Sequence, residues 1–302
     1  DLQNAAIYIE QALKINPSNS DAYSNLGVVF NAMGQNRKAV ESYDKALVIN
    51  PEFAQAHSNR GKALSDLGQD QEAIVSCNQA IEINPDYAEA YYNYGNAFLE
   101  LRQFDAAVES YERALSLKPN LVEAYNNRGN ALLELREFNA AAQSYERALS
   151  LKPDLDYLLG NFLYARMNLC DWKDFEARKS ELNQKIGSNA KACLGFNALS
   201  LTDSRAMQRQ AAEIYSQDKH PPVAKPVWSG QRYEHARIRV AYVSCDFKVH
   251  PAALNNIGMW ERHDRDRFEV IAISYGPVHQ EDATAEGQLR TRLLKAFDRF
   301  LD

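Results

Sequence analysis

The 302-residue chain is short of the features that would place it outside the ordinary globular classes. No stretch approaches 18 uncharged apolar residues, so no transmembrane helix is expected. The first residue is Asp1 and no charged-then-apolar leader follows it, so no secretory signal is expected. Cysteine is scarce: Cys77, Cys170, Cys193 and Cys245 are scattered, with no CxxC pair. That excludes a disulfide frame and a zinc site, and the four read as reduced thiols of a cytoplasmic protein. Positive charge is also lacking. The 34 lysines and arginines face 40 aspartates and glutamates, a net charge of −6. This balance argues against a general nucleic-acid or anionic-membrane binder. The glycine-rich GxGxxG turn of dinucleotide-binding folds is missing as well. With 45% hydrophobic and 25% charged residues the chain is neither disordered nor collagen-like, and its length suffices for two or three domains.

What the first half does contain is a repeat. Pro17, Pro51, Pro85, Pro119 and Pro153 recur every 34 residues. Gly27, Gly61, Gly95 and Gly129 keep the same period, as do Ala39, Ala73, Ala107 and Ala141. Ala12, Ala46, Ala80, Ala114 and Ala148 form a further series. Small side chains belong where two helices cross closely, because a larger group would push the axes apart. Leu26, Phe30, Ala39, Tyr43 and Ala46 recur at helical spacing and supply the packing faces. Each proline falls where the second helix must stop. One such unit is too small to bury its own apolar face, so the units must stack. The pattern resembles the tetratricopeptide repeat, a helix–turn–helix unit. A partial repeat and four full ones (roughly 20–155) make residues 1–155 a solenoid domain. The chain opens inside a repeat, at its second helix, and truncation at the amino end is expected.

Asn25, Asn59, Asn93 and Asn127 share the period, each two residues before the repeat glycine. They fall on the first helix of each unit, which lines the concave surface of a tetratricopeptide superhelix. A carboxamide donates and accepts hydrogen bonds at once. A row of them can grip the backbone of an extended peptide whatever its side chains; alternatively, each bonds to the next repeat or to water. Asn96, Asn126 and Asn130 enrich the same face. Residues 1–155 carry 13 basic and 21 acidic side chains, a net −8, against +2 for the remainder. An acidic groove would favour basic peptides; a solvated convex face accounts for the charge equally well.

After Asp156 the repeat fades. Residues 156–235 read as a helical connector and linker, with one helix from 157, a second from Trp172 to Ile186, and a break at Gly187–Asn189. A third helix is expected from a cap at Thr202, Asp203 or Ser204 to about Ser216. KHPPVAKPVWSG (219–230) reads as linker. In residues 236–302 the period becomes strand-like. Strands are expected at 237–244 and 268–274 and helices at about 252–261 and 284–297, the start of a parallel, doubly wound sheet. In such sheets ligands sit beyond the carboxyl ends of the strands, where Cys245–Pro251 follows the first one.

YVSCDFKVHP (242–251) resembles the YVSxDFxxHP signature that opens the catalytic region of the SPINDLY-type O-GlcNAc transferases. LCDW (169–172), LSLTDSRAMQRQAAEIYSQ (199–217) and HDRDRFEVIAISYGP (263–277) are similar to further segments of that family, in the family's order. The resemblance implies a mainly α chain: a tetratricopeptide α-solenoid, a helical connector, and the beginning of an α/β Rossmann-like lobe of GT-B type. It implies transfer of N-acetylglucosamine from UDP-GlcNAc to Ser or Thr of proteins, without metal or other cofactor. The repeats would feed the acceptor polypeptide, with the family's asparagine ladder on Asn25, Asn59, Asn93 and Asn127. O-fucosyl or Asn-glucosyl transfer within the family, or a non-catalytic adaptor, are the alternatives. His250 falls on the family's active-site histidine; an imidazole there can take a hydroxyl proton, contact sugar and phosphate, or serve as a turn residue fixed by Pro251. Asp246 reads as a turn or cap. The sequence departs from the family pattern at Leu254, where a second histidine is common, and at Ala241, where glycine is usual. It ends at Asp302, partway through the first lobe, so the expectation is a fragment that binds peptide but transfers no sugar by itself.

Overall fold

The computed structural model describes residues 1–221, 236–244, 247, 251–274 and 285–301. The chain divides into two compact units, Asp1–Pro222 and Val223–Asp302.

The first unit opens with α1 (Leu2–Ile15) and four antiparallel helix pairs. These are α2 (Ser20–Ala32) with α3 (Asn36–Ile49), α4 (Ala54–Ser65) with α5 (Asp70–Ile83), α6 (Ala88–Glu100) with α7 (Phe104–Leu117), and α8 (Val122–Glu134) with α9 (Phe138–Leu151). Each pair turns through the same corner. Gly34 and Gly68 sit at φ +70° and +74°, and Arg102 and Arg136 hold the equivalent places at 58° and 60°. The Gly34 N–H donates to the Asn31 carbonyl and the Gln35 N–H to the Phe30 carbonyl, the pair of bonds that closes a helix on a left-handed residue. Eight of the nine alanines in the two series are fully buried: Ala39, Ala73, Ala107, Ala141, Ala46, Ala80, Ala114 and Ala148; Ala12, on α1, is exposed. The glycines mark the closest crossings. A Cβ on Gly27 would lie 2.5 Å from the Tyr43 ring, and one on Gly129 2.5 Å from that of Tyr145. In the second pair Cys77 stands in the tyrosine's place, and its burial pushes the thiol up to about 12.

The helical stack extends past the point where the sequence pattern fades. α10 (Leu158–Asn168), α11 (Phe175–Gly187), α12 (Gly195–Leu201) and α13 (Arg205–Lys219) share one continuous core with α8 and α9. α10 falls where a further first helix is due: Asn161 lies one period after Asn127. The small-residue positions, however, now hold Leu163 and Leu182, both fully buried, which fill a wider crossing. Close approach has moved to Gly160, whose N–H donates to the Ala192 carbonyl and which has no room for a Cβ beside Cys193. α11 begins at Phe175 instead of Trp172, because the chain reverses through left-handed Cys170 and Asp174. Arg166 secures that turn, its Nε donating to Asp171 at 2.8 Å and a terminal N–H to the Lys173 carbonyl. α12 is not foretold by any sequence signal. Ser204 is the cap of α13, accepting from the Met207 N–H, and the helix runs to Lys219. No helix among the described residues is long and apolar enough to cross a membrane.

The second unit holds a parallel sheet in the order β1 (Ile238–Ser244), β2 (Phe268–Ser274), β3 (Arg299–Leu301). Ile238 pairs with Phe268 and Ala272 with Phe300. Helices α14 (Pro251–Glu261) and α15 (Ala285–Lys295) cover the face that carries Tyr242, Phe268, Val270, Ala272 and Phe300. The strands follow one another in sequence order, so the reversal that a doubly wound sheet requires is not present among the described residues. The short strand β3 was not expected. Asp298 ties it to the sheet: its N–H donates to the Val270 carbonyl, its carboxylate accepts from the Val270 N–H, and Arg237 and Arg265 pair with it.

Candidate peptide-binding groove

Two residues along a helix turn the side chain by roughly 200°. Since each repeat glycine faces the second helix of its own pair, the asparagine two positions earlier points to the opposite side. That side is a trough lined by the successive first helices. A cavity of about 790 Å³ is bordered by Asn59, Asn93, Asn96, Tyr92, Lys62 and Lys118, among others. A second, of about 400 Å³, takes in Asn93, Asn96, Asn127 and Asn130 with Lys62 and Glu100. A third, of about 730 Å³, continues to Asn126, Asn130, Asn161 and Asn197.

The four expected asparagines are not equivalent. Asn25 is exposed and Asn59 half-buried, and neither makes a side-chain hydrogen bond among the described residues. Asn93 is buried and donates its Nδ2 to Ser58 Oγ at 3.0 Å and to the Ser58 carbonyl at 3.3 Å. Asn127 donates to Asn96 Oδ1 at 2.9 Å and to the Tyr92 hydroxyl at 3.4 Å. The bonds to a neighbouring repeat that the sequence left open are therefore made at Asn93 and Asn127.

The structure adds residues that spacing did not single out. Asn161 donates to Asn130 Oδ1 at 3.3 Å, and Asn197 to Asn161 Oδ1 at 3.0 Å. Asn161 continues the 34-residue series; the loss of the companion glycine and alanine hides it. Asn96 and Asn130 are held from behind, each Oδ1 accepting from a buried hydroxyl at 2.8 Å, that of Tyr111 and Tyr145 respectively. Burial raises both phenol pKa values far above the ordinary tyrosine range, so each hydroxyl keeps the proton it donates. At the rim Glu89 pairs with Lys118 at 2.7 Å, and that hydrogen bond holds its carboxyl below the usual carboxylate value. An amide row braced in this way presents fixed donors and acceptors to an extended chain at little ordering cost.

His250 and Asp246 lie outside the described residues. Their neighbour Phe247 is buried against Trp260, Phe297 and Phe300. Leu254 is exposed on α14.

Family models described as TPR repeat or tetratricopeptide repeat match residues 8–41, 29–68, 61–101, 95–136 and 122–155. No curated protein matches the chain. Among solved structures, the type IV pilus biogenesis factor PilW is similar at 23% identity and a TM-score of 0.56, over 62% of this chain and 87% of that one. PilF of Pseudomonas aeruginosa gives 24% and 0.55, over 61% and 83%. A structure of MamA gives 29% and 0.46, over 51% and 90%. PilW and PilF agree with the helical fold described above. With the repeat matched from residue 8 to residue 155 and its helix pairs, corners and crossings in place, the chain is a tetratricopeptide-repeat protein.

Proposed function

We propose that the trough of the first unit binds an extended polypeptide, gripping its backbone through the amide row. The observation that carries this is the alignment of Asn59, Asn93 and Asn127 along adjoining cavities, beside Asn96 and Asn130 that buried tyrosine hydroxyls brace from behind. Solenoid repeats use such extended surfaces for binding, and an amide that reads backbone alone tolerates many side chains. The test is isothermal titration of the whole chain with extended Ser/Thr-rich peptides. Asn59→Ala combined with Asn93→Ala should weaken binding by at least tenfold. Unchanged affinity would sink the reading.

The polypeptide held there is the acceptor of a nucleotide-sugar-dependent transfer, on the O-GlcNAc transferase pattern, from UDP-GlcNAc to Ser or Thr hydroxyls. Two features support this. Residues 242–251 resemble the family signature, and Tyr242–Ser244 form the carboxyl end of β1 in a parallel sheet, the kind of strand end beyond which such sheets take ligands. In this reading His250 contacts the reacting groups. The matched repeats end at residue 155 and are equally compatible with a non-catalytic adaptor. A donor panel of UDP-GlcNAc, UDP-glucose and GDP-fucose, run with protein expressed from the complete coding frame, separates the readings. Transfer that His250→Ala abolishes without changing peptide affinity supports the transferase; binding with no transfer from any donor leaves the adaptor.

A further inference from the structure

The last hairpin of the first unit presents an apolar cleft that no other described residue of that unit covers. The inner faces of α12 and α13 are spent on the core: Ala198, Leu201 and Ala211 are buried there, with Met207 and Ile214 packed alongside. On the outer side the two helices touch at Gly195, where a Cβ would lie 3.0 Å from the Ala212 Cα. Between them lies a cavity of about 670 Å³ walled by Leu194, Phe196, Leu199 and Tyr215. Phe196 is 77% and Leu199 61% exposed, high values for large apolar side chains one helical turn apart.

The shape and the charge of this cleft specify an occupant. On α13 the lining residues Arg205, Gln208, Arg209, Ala212 and Tyr215 form one helical stripe of roughly 15 Å, about three turns. A furrow between two crossing helices accepts the side-chain ridge of a third. The rim carries two guanidiniums, and among the described residues no acidic side chain lines the cavity. Arg205 is exposed and has no ion pair or hydrogen bond among the described residues. Among the described residues Arg209 pairs only with Glu213 on its own helix, both side chains more than half exposed, a contact readily exchanged. Guanidiniums beside an apolar floor favour carboxylates over ammonium groups. We propose that the α12–α13 cleft is a docking site for a short amphipathic helix of a partner protein, apolar on the face that meets Phe196 and Leu199 and acidic along its flank. The cleft adjoins the far end of the amide row, with whose third cavity it shares Leu194 and Phe196, but its α13 wall lies outside that row, and the proposal is independent of any catalytic reading.

The probe is a fluorescein-labelled helical peptide of about 14 residues, enough to span the stripe with a turn to spare. Leucines are set at i, i+3 and i+7 and glutamates on the flanks; a counterpart has lysines in place of the glutamates. Anisotropy with the full 302-residue chain should show the glutamate peptide binding at least tenfold more tightly than the lysine peptide. Leu199→Glu should weaken it by more than tenfold, and Arg205→Glu with Arg209→Glu should invert the preference. Because both arginines are exposed, the inversion decides the matter even if Leu199→Glu disturbs the fold. Asn59→Ala should leave this binding unchanged. The proposal is overturned if the two peptides bind alike, if neither binds, or if light scattering finds a dimer that Leu199→Glu converts to monomer, since a second copy then fills the cleft.

Discussion

Gly129→Ala puts the close helix crossing and the amide row to the same test. In an ordinary helix this change stabilises by about 1 kcal/mol, because alanine restricts the unfolded chain. Here the new methyl would sit 2.5 Å from the Tyr145 ring. Tyr145 is fully buried and cannot swing into solvent, so the α8–α9 crossing must open or the ring must shift. Overpacking of this kind costs about 1–3 kcal/mol. A shifted ring also loses its 2.8 Å hydrogen bond to Asn130, worth about 1 kcal/mol. The balance is a loss of about 1–3 kcal/mol, read as a lowered midpoint in urea followed by circular dichroism. Gly258→Ala is the control: it lies within α14 with nothing near its added Cβ, and should gain up to about 1 kcal/mol. Peptide affinity should fall for Gly129→Ala and hold for Gly258→Ala, since Asn130 anchors Asn161 in the groove. Equal stabilisation by both substitutions would refute the argument that glycine is there for close approach.

Arg136→Gly should stabilise the chain by about 0.5–1 kcal/mol, because Arg136 occupies the left-handed corner at φ 60° that Gly34 and Gly68 fill without strain; a lower urea midpoint would contradict this. Asp218 is held down to about 2 by Lys191, which pairs with it at 2.6 Å, and by the Tyr157 hydroxyl that donates to it at 2.8 Å. A depressed carboxylate contributes stability above its unfolded value of about 3.9 and loses it as pH falls through the folded value. Asp218→Asn should therefore flatten the acid side of the stability profile between about pH 4 and pH 2; an unchanged slope in that window would count against the pairing.

How much was legible beforehand follows from what each pattern depends on. The 34-residue period located the helix pairs and the buried alanines because the same crossing is built four times, and each copy confirms the others. It placed the four asparagines on one side by helix geometry alone. It did not show that Asn93 and Asn127 are engaged with the preceding repeat, because a hydrogen bond spanning 31 to 35 residues depends on how the units stack. Nor did it reveal Asn197, which lies off the period, or the tyrosine hydroxyls that brace Asn96 and Asn130. Strands β1 and β2 were visible as apolar, β-branched runs, whereas β3 is three residues long and exists because Asp298 fixes it beside Val270.

The sequence by itself determined the repeat, its period and the face that carries the amides, since these rest on local spacing and on which side chains fit a close crossing. Tertiary structure alone decided that the stack runs on through α10–α13, where large residues replace small ones and the register survives without its markers. It also decided which amides are braced, and left Phe196 and Leu199 facing outward. Both outcomes depend on which surfaces meet when the helices pack, and that is a property of the assembled core, not of any single helix.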